Sequence, residues 1–495
     1  MRYLLFTLLL LQGFSKAYGS GFEFTPNCKA AYQKMLQLDF TSAATFLSKE
    51  KVVNPENTAP AYIAHYIDFL RAFISEEDRD YIQLKNNFDV RLEQVEKGAA
   101  GTAWMNMARG EMIMQLAIVK LKRKEYISAG YYIRRSYKLL EENQISYPKF
   151  IPHLKALGFF HALIGAVPEN YKWLSNLVGL KGTISQGGNE LSRLINQLEK
   201  DDELEFLMME ACLLKIFIAT HLEKNYASAI TLLEKIKKNQ PANSPLLIFM
   251  ESNTHIISGN SREGLKILDA FRPQPGHFHM YYLDYATGML KLNNLDTHAS
   301  QSFTRFVAGY RGKSFVKSAY HKLGWLALLQ NDTAEYYKSM ENVKRSGDDF
   351  TDEDKQALKE AMAHELPNIY LLRSRLLFDG GNYNDALAEL AGKPTNAFPK
   401  FRDQLEFTYR LARIFDKKGQ TEKAIQYYSK TYENGMRTEW YFAANAALHN
   451  GMLYENKGDN LRAQAWYRKC LDLRNHEYQN SIDQKAEAGL NRIAD

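Results

Sequence analysis

Gly381-Asn382-Tyr383-Asn384-Asp385-Ala386, Gly419-Gln420-Thr421-Glu422-Lys423-Ala424 and Gly458-Asp459-Asn460-Leu461-Arg462-Ala463 follow one another in the C-terminal part of the chain, each a glycine with an alanine five residues later. The alanines are 38 and 39 residues apart, and each is followed after four residues by a large one, Leu390, Tyr428 or Tyr467. Twelve residues before the alanines stand Ser374, Ala412 and Gly451, and three after these stand Leu377, Phe415 and Tyr454. This pattern reads as two antiparallel helices joined by a tight turn. A small residue on the first helix and an alanine on the second let the backbones approach, the large residues fill the space beside them, and the glycine takes the left-handed conformation that ends the first helix. Ala386, Ala412, Ala424, Gly451 and Ala463 are therefore the expected packing residues of a repeat.

Fainter copies run upstream. Tyr320-x-x-Leu323-Gly324-x-x-Ala327 has the form of a first helix, and Asn225-Tyr226-x-x-Ala229 with Leu233 and Gly259-Asn260 with Gly264 and Leu268 have that of a turn and second helix. Asn293 with Ala299 and Phe303, Lys124-Glu125-Tyr126-x-x-Ala129 with Ile133, and Leu38-Asp39-Phe40 with Ala43 and Leu47 extend the series towards the N-terminus. Small, aromatic, alanine and aromatic residues at these offsets resemble the tetratricopeptide repeat, whose usual period is about 34 residues. The excess is expected in the connections, at Gly392-Lys393-Pro394-Thr395-Asn396 and Glu433-Asn434-Gly435. The resemblance covers most of the chain and implies an all-α fold, a right-handed α-solenoid of antiparallel helix pairs that binds protein partners.

The expected organisation is a signal peptide at 1–19, degenerate repeats at 20–144, an irregular helical interruption at 145–198, further degenerate repeats at 199–345, a polar helical spacer at 346–366, and well-formed repeats with a capping helix at 367–495. Prolines at Pro148, Pro152 and Pro168 and glycines at Gly179, Gly182, Gly187 and Gly188 mark the interruption. Its glycine-rich centre bears a slight resemblance to an Iml-type family of eukaryotic tetratricopeptide proteins. The spacer reads as a solvated helix opened by Thr351 with Asp354 three residues on, as in a capping box.

Hydrophobic residues make up 45% of the 495, with only 13 prolines, which suits a folded helical chain rather than a disordered one. Net charge is +6, from 63 basic and 57 acidic residues, without the concentrated basic stripe of a nucleic-acid binder. The run Lys120-Leu121-Lys122-Arg123-Lys124 reads as a solvated helix end.

Met1-Arg2-Tyr3, the apolar stretch Leu4 to Leu11, and small residues at Ala17 and Gly19 read as a secretory leader cleaved after Gly19. No later stretch is long and apolar enough to span a bilayer. The expected location is thus the periplasm or the extracellular or secretory space. No cysteine directly follows the apolar stretch, which argues against a lipid anchor. Cys28, Cys212 and Cys470 are too few and too far apart for a disulfide framework, though one long-range bridge stays open. Cys212 and Cys470 read as buried small apolar residues.

No arrangement in the sequence supports catalysis, a metal or a cofactor. Gly309-Tyr310-Arg311-Gly312-Lys313-Ser314 ends like a phosphate-binding loop, but Val307 stands where the first glycine belongs, and the stretch reads as a solvated loop. His277-Phe278-His279 lacks further ligands. His364-Glu365 lacks the second histidine of a zinc-protease helix, and Gly182-Thr183-Ile184-Ser185-Gln186-Gly187 is one residue out of register for a nucleophile elbow.

In a tetratricopeptide solenoid the first helix of each pair lines the concave surface. The resemblance implies groove positions at Asn368, Leu371, Arg375 and Phe378, then at Glu406, Tyr409, Arg413 and Asp416, then at Asn445, Leu448, Met452 and Glu455. Arg375 and Arg413 are equivalent and are expected to line one wall, which with Tyr409, Asn368 and Asn445 suits an extended peptide offering carboxylate or carbonyl groups. The alternative is that both arginines pair internally with Glu406, Asp416 or Asp379 and bind nothing. Leu371, Tyr409 and Leu448 stand where the family's clamp for a C-terminal carboxylate has Lys or Asn. The functional expectation is an exported, non-enzymatic scaffold or adaptor, for instance in envelope assembly. An exported glycan-binding protein of nutrient uptake is the second reading, and an enzyme with a site assembled from distant residues the third.

Overall fold

The computed structural model describes residues 21–98, 101–167, 179–239 and 244–494, so the expected leader at 1–19 lies outside the described residues. Every regular element among the described residues is a helix, and most pack as antiparallel neighbours in sequence order, as an all-α helical-repeat solenoid does.

The last three pairs are Ile369–Asp379 with Tyr383–Ala388, Phe401–Lys417 with Thr421–Gly435, and Phe442–Asn456 with Asn460–Asp472, followed by the terminal helix Gln479–Ala494. Gly381, Gly419 and Gly458 sit at φ of 80°, 70° and 74°, the left-handed turn that the repeat requires. Ala386, Ala412, Ala424 and Ala463 are fully buried and Gly451 is buried with them. Ser374 Oγ donates across the first pair to the Ala386 carbonyl at 2.9 Å. One detail differs from expectation: Glu433-Asn434-Gly435 form the last turn of the Thr421–Gly435 helix, so part of the excess over the usual period lengthens a helix rather than a connection.

Upstream the array turns back on itself. One core runs from Phe22 to Leu376, whereas the last pairs form three small clusters of their own. Within the large core Ser244 Oγ donates to the Leu36 carbonyl at 3.1 Å and the Phe278 N–H to the Leu38 carbonyl at 2.8 Å, each spanning more than 200 residues. Such closure is unlike a straight solenoid, in which each repeat touches its neighbours.

The segment 145–198, expected to be irregular, holds two regular helices, Leu154–Gly165 and Ile184–Leu198, packed on each other. Its glycines make the crossing possible: a Cβ on Gly187 would lie 2.1 Å from the Gly158 carbonyl oxygen. The segment 346–366 is not a solvated spacer. Thr351 and Asp354 form the expected capping box, but the Asp354 carboxylate also accepts from the Phe315 and Ser318 N–H groups at 2.6 and 2.9 Å, capping the Val316–Leu329 helix, and Asp354, Ala357 and Ala361 are buried.

Two surface readings are likewise corrected. In the run 120–124, Lys120 pairs with Glu125 at 2.7 Å, Lys122 with Glu76 at 2.6 Å and Lys124 with Asp349 at 3.0 Å, so this helix end is tied to distant elements. In the stretch 309–314, Tyr310 and Ser314 are buried, and the Lys313 and Ser314 N–H groups both donate to Glu76 at 3.0 Å. An internal carboxylate thus occupies the pair of amides that made the stretch look like a phosphate loop. Cys28, Cys212 and Cys470 are all buried free thiols, pushed up to about 12, chiefly by burial.

Candidate functional site

The face built by the first helices of the C-terminal pairs carries a cavity of about 360 Å³. The Asp352–Ala363, Ile369–Asp379 and Phe401–Lys417 helices wall it, Trp325 closes one side, and Trp440, Tyr441 and Tyr478 line another. An adjoining cavity of about 190 Å³ shares Arg375, Arg410 and Tyr441 with it and continues towards Arg413 and Phe378, so the two form one trough. Over the trough Lys359 Nζ meets Glu477 Oε1 at 2.5 Å and the Tyr478 hydroxyl donates to Gln356, which joins the Asp352–Ala363 helix to the chain after the last repeat.

Charge in the trough is mostly matched. The Arg375 guanidinium lies 5.0 Å from the Trp325 ring centre and 3.7 and 3.8 Å from Glu360 and Asp379. Glu360 accepts from His321 at 2.7 Å; burial opposes its charge, but His321, Arg375 and Lys322 hold the carboxyl well below the usual range. Burial pulls His321 down to about 4 and, with Arg375 nearby, Lys322 to about 7, its ammonium 3.6 Å from the Trp325 ring centre. Glu406 is half-buried, which opposes its charge, but Arg410 and Arg402 hold its carboxyl below the usual range, Arg410 Nε donating at 2.8 Å. Arg413 differs: its guanidinium donates to the Tyr409 hydroxyl at 3.0 Å and lies 4.8 Å from the Phe378 ring centre, with no carboxylate in ion-pair contact among the described residues.

The model of the tetratricopeptide repeat matches residues 405–433 and 444–477, which contribute Glu406, Tyr409, Arg410 and Arg413 to the trough. Both stretches form tetratricopeptide repeats. A solved structure titled "Crystal structure of APC/C hetero-tetramer Cut9-Hcn1" is similar at 13% identity and a TM-score of 0.28, over 94% of this chain and 95% of that one. None of the curated proteins matches the sequence.

The tetratricopeptide offsets place the five expected groove residues unevenly. Asn368 and Arg375 line the larger cavity, and Arg375, Tyr409 and Arg413 the smaller. Asn368 is also the N-cap of its helix, accepting from the Tyr370 and Leu371 N–H groups. Tyr409 is only 2% exposed, and its hydroxyl takes hydrogen bonds from Arg413 and, at 2.7 Å, from Asn445. Asn445 lies outside both cavities and acts through Tyr409. Of the two arginines, Arg375 pairs internally with Asp379, one of the partners named in the alternative reading, and with Glu360, whereas Arg413 has no ion pair among the described residues. The last pair offers little groove, because the terminal helix packs on it; Leu448 is buried and Glu455 pairs with Arg492 at 2.8 Å.

Trp325, Glu360, Asp403 and Arg410 were not among the expected positions. Asp403, Glu406, Arg410 and Arg413 follow the 3, 4, 3 spacing of one helix face, so extending the stripe beyond the repeat's own offsets would have found two of them. Glu360 lies in the stretch read as a spacer, and Trp325 on the upstream copy Tyr320-x-x-Leu323-Gly324-x-x-Ala327, one residue after its small position as Arg375 is after Ser374.

Proposed function

We propose that this chain is an exported, non-enzymatic scaffold that holds an extended segment of a protein partner in the trough of its C-terminal repeats. Tetratricopeptide arrays are protein-interaction scaffolds, and an exposed first-helix face suits a chain offering its backbone and alternate side chains. The observation that carries the reading is Arg413. It is a half-buried guanidinium held on Phe378 and Tyr409, in a trough wall, with its planar fork not engaged by a carboxylate. A guanidinium so placed is ready for a carbonyl or carboxylate of the partner.

Immobilised full-length protein is expected to recover its partner from extracts of the source cells at least about tenfold better than the Arg413→Glu variant, since a charge-assisted hydrogen bond contributes about 1.5–3 kcal/mol. Equal recovery by a variant with the same thermal midpoint would overturn the trough assignment. Export rests on the leader pattern at 1–19. Protein isolated from the source is expected to begin at Ser20, and an intact mass that retains Met1 to Gly19 would remove export from the proposal.

A further inference from the structure

We infer that the trough takes a basic side chain, a lysine or arginine of the bound segment, against Asp403 and the Trp440 ring that lines the same cavity; the inference deepens the scaffold reading and rests on it.

Each cation lining the larger cavity already faces a carboxylate: Lys359 faces Glu477, Arg375 faces Glu360, and Arg402 and Arg410 both face Glu406. Of the carboxylates, Glu365 is held by Lys400 at 3.1 Å, just outside the lining. Asp403 is left over. It lines the cavity, is 8% exposed, and has no hydrogen-bond or ion-pair partner among the described residues. A carboxylate so little exposed and without a partner is poorly solvated, and burial and the neighbouring Glu406 raise its pKa, with Lys400 and Arg402 acting against them. An arriving cation would stabilise it.

The aromatic lining points the same way. The rings of Trp325, Phe378, Tyr409 and Phe442 each already carry a guanidinium or ammonium of the chain itself. Trp440 and Tyr441, which line the cavity with Asp403, carry none among the described residues. Tyr441 packs against Tyr409, Phe442 and Tyr478, whereas the half-buried Trp440 ring meets only Phe401, at 6.2 Å. Such a ring on the same cavity as an unpaired carboxylate suits a lysine or arginine by both cation–π attraction and a charge-assisted hydrogen bond. The trough then has two polar ends, Asp403 for a cation and Arg413 for a carbonyl or carboxylate, which would fix the direction in which a segment lies.

The test is a random twelve-residue peptide library panned on the full-length protein, its Asp403→Asn variant and its Asp403→Lys variant, with circular dichroism as the folding control. Wild type is expected to enrich peptides in which replacing one lysine or arginine by alanine weakens binding about tenfold. Asp403→Asn, nearly the same in shape, is expected to bring that ratio below about threefold, and Asp403→Lys to turn the preference to acidic residues. Peptides bound by wild type without a basic preference, or a preference undiminished in Asp403→Asn, would overturn the inference while leaving the scaffold reading in place. Enrichment of no peptide by folded wild type would overturn both. If Asp403→Lys does not fold, wild type and Asp403→Asn decide.

Discussion

Replacing Lys155 by methionine is expected to cost about 3–5 kcal/mol of stability, the range found when one partner of a buried ion pair is removed. Lys155 Nζ lies 3.1 Å from Glu111 and 2.8 Å from Glu210, and all three side chains are buried. Three buried tyrosines complete the group: Tyr62 donates to Glu111 at 2.5 Å, Tyr66 to Glu210 at 2.6 Å, and Tyr32 to Glu210 while accepting from Lys155 at 2.8 Å. The members come from five helices, Pro26–Leu36, Ala59–Ser75, Ala103–Lys122, Leu154–Gly165 and Met208–Phe217. Without the ammonium, two carboxylates would share a dry site with hydroxyls alone. Glu111 is already pushed up, chiefly by burial, and would rise further. A carboxyl with a raised folded-state pKa gains stability as pH falls through it towards the unfolded value, so the deficit of Lys155→Met should shrink on acidification. Chemical denaturation at neutral and mildly acidic pH reads both effects. The Lys155→Met, Glu111→Gln, Glu210→Gln triple variant should recover much of the loss, since it leaves no buried charge. A single variant as stable as wild type would show that the cation is not what holds the group together.

That cluster also marks what the sequence could and could not reveal. The C-terminal pairs were legible because each packs through contacts within about 40 residues, and a small residue, a turn glycine and an alanine at fixed offsets leave a periodic trace. Lys155 leaves none. Its partners are 44 residues before it and 55 after it, on helices whose register depends on the fold, and its own segment looked irregular because of prolines and glycines. The glycines in fact serve a regular crossing. The same holds in part in the trough: Arg375 and Arg413 follow from the repeat offsets, and Trp325, one residue after the small Gly324, sits at the equivalent offset of an upstream copy, but Glu360, which also engages Arg375, is on a helix without a repeat signal.

Charge patterns misled where they were read as exposure. A basic run and a helix rich in acidic residues usually face solvent, and both were expected to. Here Lys122 and Asp354 are drawn inward because backbone amides and a carboxylate of distant segments need them. Packing of the array onto itself converts surface charges into internal ties, and a tie that spans from about 40 residues, as at Lys122 and Asp354, to more than 200, as between Glu76 and Lys313, has no local signature.

Glu76 is the strongest of these ties, and Glu76→Gln is expected to cost about 2–3 kcal/mol at neutral pH. Its carboxylate accepts from Lys122 at 2.6 Å, from the Tyr282 hydroxyl at 2.9 Å and from the Lys313 and Ser314 N–H groups, joining the N-terminal helices to the 310–314 stretch. Burial opposes the charge, but Lys122 and these donors hold the carboxyl down at about 2, against an ordinary value of 4.5. A gap of that size corresponds to about 3 kcal/mol. Burial also pulls the Lys122 ammonium down, so the pair contributes somewhat less than the Glu76 side alone. Because the folded-state pKa is depressed, the stabilisation is complete above about 4.5 and is lost as pH falls from there towards about 2. Wild type and Glu76→Gln should therefore differ at pH 7 and converge in acid, while the Lys313 and Ser314 amides, measured by hydrogen exchange at neutral pH, lose protection in the variant. Glu76 holds a φ of 54°, which a non-glycine residue keeps only when its surroundings impose it, so Glu76→Gly separates the two effects. Glycine relieves the backbone but removes the carboxylate. If Glu76→Gly is as stable as wild type, the turn rather than the ion pair governs this junction, and the pH dependence assigned to Glu76 falls with it.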